Sequence, residues 1–481
     1  MSPTASFRPG SRHRPRRTLR RPPALAALAT AMWLAGCASL PPGQPASDAG
    51  MLQQAGVPAQ LPAAIGAPAE TPAMAWRQLV QSPRLAQWVD LALRNNRDLR
   101  VAMLNVQRAQ AQLGLADASR LPAVGVGLTA SRAPNGRGDQ ANSLTAGLQL
   151  SAWEIDLFGR LAHLSEAARA QLLASEAGRR AAELSLVAAV LQAGLALQAD
   201  EELLALARQA LASREQTLQL TQLRESVGAA SLLELQAQQT LAAQARASIA
   251  QLTRQQAQDS HALALLLGQP VPAEASASAT GSRLADEAWL AEVPAGLSST
   301  VLLGRPDVIA AEQTMRAAQA NIAAARAAFW PTITLTAQAG QASPQLAGLF
   351  AGGNFVYTLA ASAVATVFDG GRRQAGVDVA VANQQIALAQ YERSLQAAFR
   401  ETADALAGLA TWHEQLAAQT ARRDAARGTA RLVELKASQG AASALERLDA
   451  QRALWAAEQA VVQVRLGELA NRVALFKALA V

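Results

Sequence analysis

The chain has 481 residues, 51 % of them apolar and 16 % charged, with aromatics at 4 %; that length allows two or three ordinary domains and that composition excludes collagen-like or low-complexity sequence. The formal charge of +7 points at first to nucleic acid, but residues 1–36 hold seven arginines and no acid, which leaves the rest of the chain neutral. No basic stripe interleaved with aromatics offers a nucleic-acid surface.

In chain order, the arginine-rich start is followed by an apolar run from Ala24 to Leu34 and then by small residues. This is the order of a secretory signal, and the run is too short to span a bilayer as a permanent helix. Leu34-Ala35-Gly36-Cys37 resembles a bacterial lipobox. The expectation is a signal over 1–36 and covalent lipid on Cys37, an S-diacylglycerol and an N-acyl chain. Cys37 is the sole cysteine, so an intrachain disulfide is impossible. Ala38 rather than Asp after it favours the outer membrane, by analogy with sorting rules in enteric bacteria. Residues 37–75, broken by Pro41-Pro42 and further prolines, read as an extended tether without regular helix.

The body is duplicated. Asn96-Arg97-Asp98-Leu99 and Leu121-Pro122 recur as Arg305-Pro306-Asp307-Val308 and Trp330-Pro331 at an offset of 209; Phe158-Gly159-Arg160 and Val227-Gly228-Ala229-Ala230-Ser231 recur as Gly370-Gly371-Arg372 and Gln439-Gly440-Ala441-Ala442-Ser443 at 212. Such self-similarity defines two units. The first spans 76–270, with a helix, strands at about 123–133 and 142–154, and a long helical hairpin with its tip at Gly228. A linker follows over 271–300. The second unit spans 301–481, with strands at about 331–342 and 354–367 and a hairpin tip at Gly440.

Each strand alternates: Val124, Val126, Leu128 and Ala130 share a parity, as do Leu144, Ala146, Leu148 and Leu150, then Ile333, Leu335, Ala337 and Ala339, then Phe355 to Val367 at every second residue. Runs of roughly ten such residues suit a strand with lipid on one face and water on the other. Four strands cannot close a barrel, and open edges are not tolerated in lipid. Two chains would supply eight strands, whose barrel fills with its own side chains. A channel therefore needs three or more chains. Between strand and tip, no proline interrupts 156–227, and Leu197, Leu204, Leu211 and Leu218 keep a seven-residue interval, which is coiled-coil patterning. About 70 residues make a rod of about 105 Å.

Leu303-Gly304-Arg305-Pro306-Asp307-Val308 with Phe329-Trp330-Pro331, Trp153-Glu154-Ile155-Asp156-Leu157-Phe158-Gly159-Arg160, Phe368-Asp369-Gly370-Gly371-Arg372 and Leu448-Asp449-Ala450-Gln451-Arg452 together resemble the TolC-like outer membrane factors, most of all their NodT-like lipoprotein branch. The resemblance covers nearly the whole mature chain. It implies an α+β membrane protein: a homotrimer whose four strands per chain form a twelve-stranded β-barrel in the outer membrane, set on an α-helical barrel that crosses the periplasm. Residues 271–300 would contribute to an equatorial region. The implied function is the exit duct of a tripartite efflux system, with an inner-membrane pump and a periplasmic adaptor (membrane fusion protein) as partners and outer-membrane lipids around the barrel. The tips at Gly228 and Gly440 would dock the adaptor. Glu446 and Asp449, three apart on one helix face, would ring the pore as a cation-attracting gate. Ala442 stands where some relatives have a basic residue, which implies a different closing network. Arg160 and Arg372, at equivalent places after the strands, imply structural roles at the periplasmic rim.

No catalytic order or metal-ligand spacing is present around His13, His163, His261 or His413, so neither an enzyme nor a metal or cofactor site is expected. Two other readings compete: a lipid-anchored periplasmic adaptor, which requires one hairpin and a lipoyl-like domain, and a coiled-coil envelope scaffold without a pore, in which the alternating segments would be soluble hairpins.

Overall fold

A computed structural model describes residues 48–58, 61, 75–134, 138, 140–272, 284, 288–292, 299–349, 351 and 354–479. The signal, Cys37, most of the tether and most of the 271–300 linker lie outside the described residues. The elements are α1 (Asp48–Gln54), α2 (Trp76–Leu79), α3 (Pro83–Asn95), α4 (Arg97–Ala118), β1 (Val124–Pro134), β2 (Gln140–Glu154), α5 (Arg160–Ser226), α6 (Leu232–Leu267), α7 (Pro306–Ala327), β3 (Thr332–Ser343), β4 (Phe355–Val364), α8 (Arg372–Ser438) and α9 (Ala444–Leu479).

The duplication is visible in the element lengths. Helices α4 and α7 each have 22 residues, α5 and α8 each 67, and α6 and α9 each 36. Their starts are fixed by different residues. Asn96 caps α4 by accepting from the Leu99 amide at 2.9 Å, while α7 starts at Pro306, whose missing N–H would be unpaired there in any case. Both long helices follow a glycine in the left-handed region, Gly159 (φ 76°) and Gly371 (φ 86°). At about 1.5 Å per residue each long helix runs about 100 Å.

The four strands form one antiparallel sheet in the order β1-β2-β3-β4. The apolar parities meet in register: Val124 faces Leu150, which faces Ala337, which faces Leu359; Val126, Leu148, Ala339 and Tyr357 form the next row. One side of the sheet is therefore an apolar band, and Val126 at 83 % and Tyr357 at 77 % stand open. The other side carries Thr129, Thr145, Gln149, Thr336 and Gln338. It also carries a glycine row, Gly127, Gly147 and Gly340, aligned across three strands. A Cβ on Gly340 would overlap the Ala146 carbonyl oxygen and lie 2.6 Å from the Gly147 Cα, so β2 and β3 approach as closely as they do only because both positions lack one. A bulge between Leu150 and Trp153, with Ala152 at φ 45°, shifts the register near the helices, beyond which Trp153 and Glu154 pair with Leu335 and Thr334. β4 stops at Val364, three residues before the expected end at 367, because its partner β3 begins at Thr332 and Pro331 before it has no N–H to donate; the Thr366 carbonyl beyond the sheet accepts from Arg373 Nη2 at 2.6 Å.

Burial is deepest at the middle of the long helices. Leu191 and Leu195 of α5, Leu85 and Trp88 of α3, Leu263 of α6, Leu395 of α8, and Leu469 and Val473 of α9 all lie within this core. Gly194 lets α3 press against α5: a Cβ there would sit 2.6 Å from Leu85 Cδ2 and 2.9 Å from the Trp88 ring. Part of α5 is apolar enough to span a bilayer, but half of that window is buried by neighbouring helices, so its hydrophobicity serves the core. The described pieces of the linker join here, with Gln81 N–H donating to the Trp289 carbonyl at 3.0 Å and Ala291 N–H to the Leu79 carbonyl at 2.7 Å.

The tether expectation needs correction at α1, a seven-residue helix within the stretch read as extended. Residues 46–57 contain no proline. Gly56 (φ 67°) closes the helix with the Val57 amide donating back to the Leu52 carbonyl at 2.9 Å. The helix then holds to the second unit: Leu52 is 2 % exposed, and Gln396 Nε2 of α8 donates to the Ala55 carbonyl at 2.9 Å.

Candidate functional site

Three places carry the expected functional residues: the junctions between sheet and helix, the two hairpin tips, and the acid pair beside the second tip. At the first junction Arg160 makes a two-pronged bridge to Glu154, at 3.0 and 2.6 Å, and the Asp156 carboxylate accepts from the Ala162 amide at 2.7 Å. The bond to Glu154 holds the Arg160 pKa above its ordinary value despite partial burial. In the second unit the equivalent bridge is made by Arg373, not by Arg372 as the repeat alignment implies. Arg373 Nε donates to Asp369 at 2.7 Å, and its guanidinium lies 5.2 Å from the Phe329 ring. The two junctions differ in backbone: Gly370 and Gly371 are both left-handed, whereas Gly159 alone precedes α5 in that conformation. These hydrogen bonds and the neighbouring Arg373 charge hold the Asp369 carboxyl below the usual carboxylate range. Phe158 and Trp330 stack at 5.2 Å and link the two junctions.

The two tips are built alike. Gly228 (φ 74°) and Gly440 (φ 73°) reverse the chain. Ala229 N–H donates to the Arg224 carbonyl at 2.7 Å, and Ala441 N–H donates to the Lys436 carbonyl at 2.8 Å, which is the glycine-closed helix end in both cases. Ser231 Oγ and Ser443 Oγ then cap the returning helices, each accepting from the third amide at 3.1 Å. Leu223, Val227, Leu233 and Leu445 stand exposed around these reversals, an arrangement suited to covering by another protein. Above the tips each hairpin is clasped by an ion pair of opposite sense. Glu215 of α5 meets Arg246 of α6 at 2.6 Å, and Arg427 of α8 meets Glu458 of α9 at 2.9 Å; both positions are related by 212 residues.

Glu446 and Asp449 lie one turn apart on α9, both exposed. Glu446 is already engaged: its Oε2 accepts from the Ser443 amide at 2.8 Å while Ser443 Oγ accepts from the Glu446 amide, a reciprocal capping box. The Ser443 hydrogen bonds, with Lys436 nearby, hold the Glu446 carboxyl below its ordinary value, so it stays ionised. Asp449 lies 3.7 Å from Arg452 Nη1.

A buried cation that sequence reasoning did not single out sits where the equatorial core meets α8. Arg305 is 3 % exposed and bonds to Asp307 at 2.8 Å, to Glu401 at 2.8 Å and to the Ala478 carbonyl at 3.3 Å. It fastens the start of α7 to α8 and to the end of α9. Asp200, 7 % exposed on α5, is pushed up to about 7 by burial and by the Asp259 carboxyl across from it.

Residues 88–269 and 297–481 match the model of the family described as outer membrane efflux protein. The toluene efflux pump outer membrane protein TtgC of Pseudomonas putida is 38 % identical over 457 residues, which cover 94 % of this chain and 93 % of that one. OprJ of Pseudomonas aeruginosa is 36 % identical over 466 residues, covering 95 % of each. The open-state MtrE outer membrane channel of Neisseria gonorrhoeae superposes with a TM-score of 0.78 at 34 % identity over 88 % of this chain and 96 % of that chain.

Proposed function

The chain belongs to the outer membrane efflux protein family and is an efflux channel of the outer membrane; from that premise we propose that three copies close the sheet and that the assembly is the exit duct of a tripartite pump. The observation that carries this reading is the four-stranded sheet with one continuous apolar face and two unpaired edges, β1 and β4. Lipid does not tolerate open edges. Pairing β4 of one copy with β1 of the next around three copies gives twelve strands, an even number of ordinary size for such barrels. The adaptor and scaffold readings lose their support with family membership.

In this proposal Cys37 carries the lipid, as in the lipoprotein branch of the family. The exposed leucines around Gly228 and Gly440 meet a periplasmic adaptor, which links the duct to an inner-membrane pump. The exported solutes are apolar or amphipathic organic molecules, in keeping with the toluene and antibiotic pumps of which the relatives TtgC and ArpC are parts. Glu446 and Asp449 from three copies ring the narrow end and favour cations.

The test is single-channel conductance of the purified full-length protein in a planar bilayer, wild type beside Glu446→Gln with Asp449→Asn. Glutamine retains the reach to the Ser443 amide, so the tip keeps its cap while the ring loses its charge. Discrete, cation-selective steps in the wild type and loss of that selectivity in the variant are expected. Selectivity unchanged by the substitutions removes the gate assignment; silence from both proteins removes the pore.

A further inference from the structure

Between α5, α8 and α9, on the tip side of the central core and far from the sheet, lies a cavity of about 550 Å³. Arg214 lines it at 5 % exposure. Its Nη1 donates to the Leu241 carbonyl at 3.1 Å, and its guanidinium lies 5.2 Å from the Trp455 ring centroid. Among the described residues no carboxylate pairs with it. The other charges lining the cavity have partners: Arg427 pairs with Glu458 in the same wall at 2.9 Å, Arg423 with Asp424 at 2.7 Å, and Glu202 accepts from the Leu284 amide at 2.9 Å.

A buried guanidinium without a counter-charge is costly, and stacking on an indole offsets only part of that cost. Burial and the nearby Arg452 both act against the Arg214 charge. A second, independent observation concerns the ring beneath it. The Trp455 indole N–H is buried in the wall of the same cavity and meets no acceptor. A buried guanidinium with no counter-charge and an indole N–H with no acceptor thus line one space with room for more than water. Guanidinium donors in a planar fork suit the two oxygens of a carboxylate or phosphate, and the volume falls within the range of small-ligand sites.

We propose that this cavity is a binding site for an oxyanion, carboxylate or phosphate, held by Arg214 with the Trp455 N–H as second donor. The second unit's arginines, Arg423 and Arg427, lie across the space, offset by the carboxylates of Glu458 and Glu202 in the same lining, which leaves Arg214 as the charge that meets the anion. Because the site joins α5 of the first unit to α8 and α9 of the second, an anion bound there braces the two hairpins against each other between the central core and the tips. This assignment is independent of the gate and docking roles.

The test is titration calorimetry of the full-length protein with inorganic phosphate and, separately, with acetate, each against chloride at matched ionic strength. Heat from phosphate alone, from acetate alone or from both supports the site and identifies its anion. Arg214→Gln weakens that binding about tenfold or more, the loss of a charge-assisted bond. Trp455→Phe, which keeps the stacking face and removes the donor, weakens it about threefold. Arg431→Gln, exposed on α8 and outside the cavity, leaves it unchanged. Should Arg214→Gln fail to fold, Trp455→Phe decides alone. No binding beyond chloride, or binding untouched by Trp455→Phe, overturns the proposal.

Discussion

The Arg305 cluster makes an asymmetric prediction about which partner is cheaper to lose. The guanidinium is almost wholly buried, with a side chain 4 % exposed, whereas its acids, Asp307 and Glu401, are 46 % and 39 % exposed. Arg305→Met fills the same slot with a straight apolar stem and releases two carboxylates that water already reaches. Its cost is the lost hydrogen bonds, about 1–2 kcal/mol. Asp307→Ala with Glu401→Ala leaves a cation in the core with only the Ala478 carbonyl for company, and stranding a buried charge costs about 3–5 kcal/mol. The acid substitutions should therefore destabilise more than removal of the arginine. The assay is helix loss at 222 nm through a guanidinium chloride titration, or the half-life at fixed denaturant if unfolding is irreversible. An Arg305→Met protein less stable than the double acid variant would refute the reasoning, since it would mean the acids are worth more than the burial.

Asp200 gives a pH dependence of defined sign. Its folded pKa is raised to about 7 by burial and Asp259, so the stability it contributes is fully present below the carboxylate's ordinary range and is lost as pH rises through about 7. Asp200→Asn is expected to raise the melting temperature at pH 8 and to flatten the slope between pH 5 and 8, as read in melting curves across that range. At the second junction, Arg373→Gln should lower the melting temperature more than Arg372→Gln does, because of the two side chains only that of Arg373 bonds to Asp369 and Thr366; equal losses would restore the simple repeat alignment. Gly340→Val should abolish the assembled, membrane-inserted form on gels run without boiling, while Gly376→Val, with open space around its Cβ, should retain assembly.

Much of this architecture is legible before any coordinates, because it is written in local chemistry. Positive-φ glycines end helices, Ser231 and Ser443 start them, and a period of two marks the strands, so repeated spelling gives repeated elements. Ser443-Ala444-Leu445-Glu446 is likewise a capping box on its face, and it binds Glu446 to a structural task before any pore is considered. What stays hidden depends on partners distant in the chain. Helix α1 forms among prolines because α8, more than 300 residues away, covers it. Arg373 rather than Arg372 makes the bridge at a junction with two left-handed glycines where the first unit has one. Asp200 and Arg214 look like ordinary helix-face charges, and Arg305 like an exposed residue before a helix start, until neighbouring helices close over them.

The two clasping ion pairs bear on how a doubled chain sorts itself out while folding. Helices α6 and α9 have equal lengths and related ends, and either could pack in the other's groove. With Glu215 and Arg246 in one hairpin and Arg427 and Glu458 in the other, an exchange would set Glu215 against Glu458 and Arg427 against Arg246. Each mismatch replaces a small gain with a comparable repulsion. The repeats thus keep a common shape but carry opposite polarity, and a newly exported chain has an electrostatic means of telling its own two arms apart.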